Sequence, residues 1–134
     1  MLAPFPIGSA AGDDSRMRVL VVDDSEQFRM LARLVAGLVG GLDVVGEADT
    51  GEAAVIAARR LDADVVLMDV RLPGIDGIDA TRRILDEQPH RVVILVSAQP
   101  PEDHERERLC GCGAAGYLLK EDFGPVQLLA ALAG

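Results

Sequence analysis

Five short runs of β-branched and aliphatic residues, each followed by a longer amphipathic stretch, set the main constraint on what this chain can fold into. Val19 to Val22, Val65 to Met68 and Val92 to Val96 are apolar throughout. Such runs suit strands covered on both faces, since a half-exposed strand would alternate apolar with polar residues. Val44 to Glu47 reads as a shorter strand, and Gly116 to Leu119 as a fifth. The first helix follows Ser25, a candidate N-cap, and carries Phe28, Leu31, Ala32 and Val35 on one face until Gly40 and Gly41 stop it. An Ala-rich helix runs from Thr50 and Gly51 to about Leu61, and a third from about Asp76 to Gln88, ended by Pro89. The stretch Glu102 to Cys112 has only Leu109 and two cysteines as large apolar residues, so its core contact is expected to be thin. Pro125 opens a last helix, with Val126, Leu129, Ala130 and Ala133 expected on one face. Strands alternating with helices build a parallel sheet with right-handed crossovers and helices on both faces.

A chain of 134 residues supports one such core and is too short for two ordinary domains. The formal charge of −9 would repel a phosphate backbone, which argues against nucleic-acid binding by this segment. No apolar run approaches the roughly 20 residues that span a bilayer. Cys110 and Cys112 stand too close for an ordinary disulfide and lack the partners of a zinc site, so a reduced, cytoplasmic protein is expected. Residues 1–16 have neither a basic start nor a long apolar centre and read as a flexible leader; the folded domain is expected over 17–134.

In sheets of this kind ligand chemistry gathers beyond the carboxyl ends of the strands. Asp23 and Asp24 follow strand one, Asp69 strand three, Ser97 strand four and Lys120 strand five. Singly these are ordinary residues, because Asp and Ser are common in turns and at helix starts. Together they put three carboxylates, a hydroxyl and an ammonium on one edge. Carboxylates held that close raise one another's pKa unless a cation offsets their repulsion, and magnesium, which prefers oxygen ligands, suits the set. Lys120 is the most informative residue, for the chain holds twelve arginines and no other lysine. A compact ammonium fits a small anion pocket as a point charge, where a guanidinium fork would want two parallel acceptors.

These residues resemble the receiver domains of two-component response regulators. The family's pattern is an acidic pair after the first strand, a phosphoacceptor Asp after the third with a Pro-Gly loop, Ser or Thr after the fourth, and an aromatic then Lys on the fifth. Asp23-Asp24, Asp69 with Pro73-Gly74, Ser97-Ala98 and Tyr117-Leu118-Leu119-Lys120 fill those positions in order, over about residues 17 to 133. The segment Gly116 to Lys120 followed by an acidic residue is similar to the NarL/FixJ-type subgroup, whose receivers usually precede a DNA-binding domain. Two departures stand out: Glu121 replaces the Pro that often follows the Lys and is part of a cis peptide, and Gln99-Pro100-Pro101 stiffens the approach to helix four.

The resemblance implies a flavodoxin-like, doubly wound (βα)5 fold with strand order 2-1-3-4-5. It implies that Asp69 accepts a phosphoryl group from a histidine kinase, and that Asp23, Asp24, Asp69 and the backbone carbonyl of Arg71 hold Mg2+. Lys120 and Ser97 would bind phosphoryl oxygens, Ser97 and Tyr117 would switch, and Arg71 and Ala98 would modulate the site. The implied partner is a sensor histidine kinase or a phosphotransfer protein, with a second copy of the chain as a further candidate; the protein would signal rather than act as an enzyme on other molecules. Two other readings stay open: a receiver-like interaction module that is never phosphorylated, and the regulatory half of a DNA-binding transcription factor. A phosphatase with an Asp nucleophile would need a second acid two residues on, where this chain has Arg71.

Overall fold

The structure is a computed structural model that describes residues 16–134, so the expected leader lies outside the described residues except for Arg16, which donates to the Leu42 carbonyl at 2.9 Å. The chain alternates β1 (Met17–Val22), α1 (Glu26–Val39), β2 (Leu42–Ala48), α2 (Gly51–Arg60), β3 (Val65–Asp69), α3 (Gly77–Glu87), β4 (Val92–Ser97), α4 (Asp103–Cys112), β5 (Gly116–Leu119) and α5 (Pro125–Ala133), with a 3-10 turn at Lys120–Asp122. The five strands are parallel in the order β2-β1-β3-β4-β5, as expected.

The period of two along each central strand sorts its side chains into two cores. Leu20, Val22, Val66, Met68, Val93 and Leu95 face the layer that includes Ala54 and Ala58 of α2 and Ile78 and Ile84 of α3. Val19, Val21, Val65, Leu67, Ile94 and Val96 face Phe28, Ala32 and Val35 of α1 and Leu128 and Leu132 of α5. Helices start where side chains meet orphan amides: Ser25 Oγ accepts from Phe28 N–H, Thr50 Oγ1 from Ala53 N–H, and Asp76 Oδ1 from Asp79 N–H.

Three expectations need correction. Strand two is not short: β2 spans seven residues and pairs with β1 along its length, with a register shift at Val19/Leu20. As an edge strand it tolerates the exposed Asp43, which masked the start of its pairing at Leu42. In α1 Leu31 is 40 % exposed, and Ala36 takes its place in the buried face. In α5 the buried residues are Leu128 and Leu132, while Val126 is 73 % exposed. That helix is apolar almost all round, so its periodicity could not select a face. Helix four matches its reading: only Glu105 and Cys112 are buried, and Leu109 is half-buried.

Candidate phosphoacceptor site

The continuous burial of β1 and β3 carries their last residues to the same sheet edge. Asp23 and Asp69 are both buried, Asp24 is exposed, and one carboxylate oxygen from each lies within 4.8 Å of the others. Asp23 Oδ1 accepts from Ser25 N–H at 2.8 Å, which turns the chain from β1 into α1. Its Oδ2 is buried with no well-aligned hydrogen bond, although Lys120 Nζ stands 2.7 Å away. A buried anion with a free lone pair beside two more carboxylates is the donor set that a hard divalent cation takes.

Lys120 leaves β5 at the start of the 3-10 turn and points into this pocket, 2.7 Å from Asp23 and 3.7 Å from Asp69 Oδ2. Asp69 feels opposing influences. Burial and the negative charge of Asp23 push its carboxyl up, Lys120 and the Arg71 amide pull it down, and the result is a pKa of about 6 against an ordinary 3.8. The Arg71 N–H donates to Asp69 Oδ1 at 3.3 Å, so the loop bearing the Arg71 carbonyl folds back over the acceptor. Below it, Gly77 has no room for a side chain: a methyl there would strike the Asp69 carbonyl, whose carbon is 2.9 Å from the Cβ position.

Ser97 ends β4 fully buried, and Ala98 follows it exposed at the surface. Ser97 Oγ accepts from Gln99 N–H at 3.3 Å, while the Tyr117 hydroxyl donates to the Gln99 carbonyl at 2.9 Å. The two expected switch residues therefore hold opposite ends of one residue. The Arg71 side chain does not turn to Asp69. Its guanidinium forks onto Glu105 of α4 at 2.8 and 3.2 Å, with Glu102 3.9 Å away. Burial works against the charge of Glu105, but hydrogen bonds from the Glu102 amide and Arg71 outweigh it and hold the carboxyl below its usual range.

Sequence reasoning missed Glu105 and Glu52. The spacing Glu102…Glu105 is that of a capping box and was the available signal for the first, whose Oε1 accepts from Glu102 N–H at 3.0 Å. Nothing in the sequence marks Glu52, which reaches across from α2 to accept from Ile75 N–H at 3.2 Å and so steadies the Pro73-Gly74 loop. The described residues contain no cis peptide, in keeping with Glu121 in place of Pro. Both cysteines are free, and no helix among the described residues is long and apolar enough to cross a membrane.

The family model for the response regulator receiver domain matches residues 19–133. Response regulator GacA of Pseudomonas viridiflava is 48 % identical over 105 residues, covering 78 % of this chain and 48 % of that protein. The chain thus spans about half the length of the curated relatives it matches. Among solved structures, the signal receiver domain of the putative response regulator NarL from Mycobacterium tuberculosis superposes with a TM-score of 0.77 at 35 % identity, covering 87 % of this chain and 92 % of that one. The isolated REC domain of RcsB from Salmonella enterica serovar Typhimurium, solved in the presence of phosphomimetic BeF3−, gives 0.77 at 26 % identity over 88 % and 86 % of the two chains. On its sequence, its fold and the convergence of its strand-end residues, the chain belongs to the receiver domains of two-component response regulators.

Proposed function

We propose that residues 17–134 form a phosphoacceptor switch in which Asp69 takes a phosphoryl group from a phosphohistidine on a sensor histidine kinase or a phosphotransfer protein. The observation that carries the reading is the environment of Asp69: buried, crowded by Asp23 and Asp24, and faced by the chain's one lysine. In the transfer, an Asp69 carboxylate oxygen bonds to phosphorus as the phosphorus–nitrogen bond breaks, and the electron pair returns to the imidazole. With a pKa near 6 the carboxyl is mostly ionised at neutral pH, yet more basic than an ordinary aspartate. Hydrolysis of the acyl phosphate by water restores the carboxylate.

Phosphoryl transfer spreads negative charge over three equatorial oxygens, so the residues around Asp69 act by position and charge. Lys120 and Ser97 bind phosphoryl oxygens. Asp23, Asp24, Asp69 and the Arg71 carbonyl would hold magnesium, which supplies positive charge against those oxygens. The convergence of one carboxylate oxygen each from Asp23, Asp24 and Asp69 to within 4.8 Å supports that assignment.

The output follows from Gln99. As Ser97 Oγ turns to the phosphoryl group it releases the Gln99 amide, and the Gln99 carbonyl in turn is what holds the Tyr117 hydroxyl outward. Arg71 gives a second route, because a new dianion two residues away competes with Glu105 for its guanidinium. Both act on the face made by α4, β5 and α5, where a partner or an output domain would be controlled. The net charge of −9 disfavours nucleic-acid contact by this segment itself.

The test is intact mass after incubation with magnesium and a small acyl phosphate donor. One hydroxylamine-labile phosphoryl group on the wild type and none on Asp69→Asn is the expected result. An unmodified wild type, or a variant modified as readily, would refute the reading.

A further inference from the structure

The Lys120 ammonium has a third neighbour besides the two carboxylates. It stands over the ring of Phe28, 4.7 Å from the centroid, well inside the roughly 6 Å at which a cation feels the negative face of an aromatic ring. That ring packs in turn on Phe123, centroids 5.2 Å apart and planes tilted by 54°. Phe123 is tied to the lysine by a single turn, its amide donating to the Lys120 carbonyl at 3.2 Å. On the other side, Phe28 N–H donates to Ser25 Oγ, and Ser25 N–H to Asp23 Oδ1. The chain segment that presents the acidic pair therefore also presents the ring.

We propose that Phe28 is a positioning residue for phosphoryl transfer, its π face holding the Lys120 ammonium between Asp23 and Asp69. The inference rests on the phosphoacceptor reading above. At rest the ammonium leans on Asp23, a full ångström nearer than Asp69, and it must bridge toward Asp69 when a phosphoryl group is bound there. A hydrogen-bonding support would be broken by that movement. The attraction of a ring face varies gently with lateral position, so it steadies the ammonium in both places. An aliphatic residue would fill the same volume in the core around Ala32 and Leu128 without holding the charge.

Fluorination separates these roles, since it drains the ring face of electron density with little change of shape. Phe28 is replaced site-specifically by 4-fluoro-, 3,5-difluoro- and 3,4,5-trifluorophenylalanine, with Phe28→Tyr and Phe28→Leu alongside. Phosphorylation rate with a small acyl phosphate, magnesium affinity and urea stability are measured on each. The expected result is a graded fall in rate, about five- to tenfold by the trifluoro ring, with stability and magnesium affinity unchanged and Phe28→Tyr close to wild type. A rate that stays flat across the fluorinated series overturns the proposal, as does a Phe28→Leu protein that folds and reacts at the wild-type rate. A wild type that takes no phosphoryl group refutes instead the phosphoacceptor reading, and Asp69→Asn run beside it shows which of the two has failed.

Discussion

Replacing Asp69 by Asn should stabilise the metal-free protein at pH 7.5. The side chain is buried, and its carboxyl titrates at about 6 in the folded protein against an ordinary 3.8. At about 1.4 kcal/mol per pKa unit, keeping it ionised in the fold costs about 3 kcal/mol. Because the folded-state value is raised, that cost is absent below about pH 4, grows as pH rises through the interval, and is complete above about 6. An Asn is never charged, and its Oδ1 still accepts from the Arg71 amide, so about 2 to 3 kcal/mol should be recovered at pH 7.5 and almost none at pH 4. Lys120, 2.7 Å from Asp23 in this structure, retains that partner when Asp69 loses its charge. Urea unfolding in EDTA at both pH values measures the difference directly, and titrating groups remote from Asp69 cancel between the two proteins. Millimolar magnesium should narrow the gap by stabilising the wild type more than the variant. An Asn variant less stable than wild type at pH 7.5, or a difference independent of pH, would refute the reasoning.

Lys120→Ala should keep the fold and lose about 10²- to 10³-fold in phosphorylation rate, read by intact mass over time. Glu105→Gln should free the Arg71 guanidinium and speed hydrogen exchange in the first turn of α4 while leaving β1 and β3 protected; unchanged exchange there would show that the ion pair holds nothing. Gly77→Ala should destabilise by about 3 kcal/mol or more, because the new methyl meets backbone at the Asp69 carbonyl and at Val70 Cα. Urea midpoints decide that case.

What could be read from the sequence divides along physical lines. Val65 to Met68 announces a central strand because burial on both faces leaves no polar residue to confuse the pattern, and β3 then necessarily delivers Asp69 to the sheet edge. Edge elements read less well. The exposed Asp43 is tolerated in β2 because that strand has a neighbour on one side only, so its start at Leu42 was hidden. The apolar residues of α5 exceed what its buried stripe requires, and only packing against the sheet and α1 selects Leu128 and Leu132 over Val126. Phe28 was legible as core, yet a side chain's second neighbour has no signature in local spacing, and nothing before the fold reveals the ammonium above it. Glu105 is the extreme case: a carboxylate is buried only if its cation arrives, and Arg71 arrives from 34 residues away. Lys120 was legible for the opposite reason, as a lone departure from an arginine-rich composition.

Helix α4 is fastened chiefly by charge. Arg108 grips Asp76 and Asp79 at 2.9 and 3.1 Å, Arg71 grips Glu105, and little apolar area is sealed beneath. Undocking it would therefore wet little oil beyond Cys112, Leu109 and the residues they cover, and should carry only a small heat capacity. Ionic strength, which shortens the reach of half-exposed charges while sparing the two apolar layers, becomes the lever that sets how often this helix lifts.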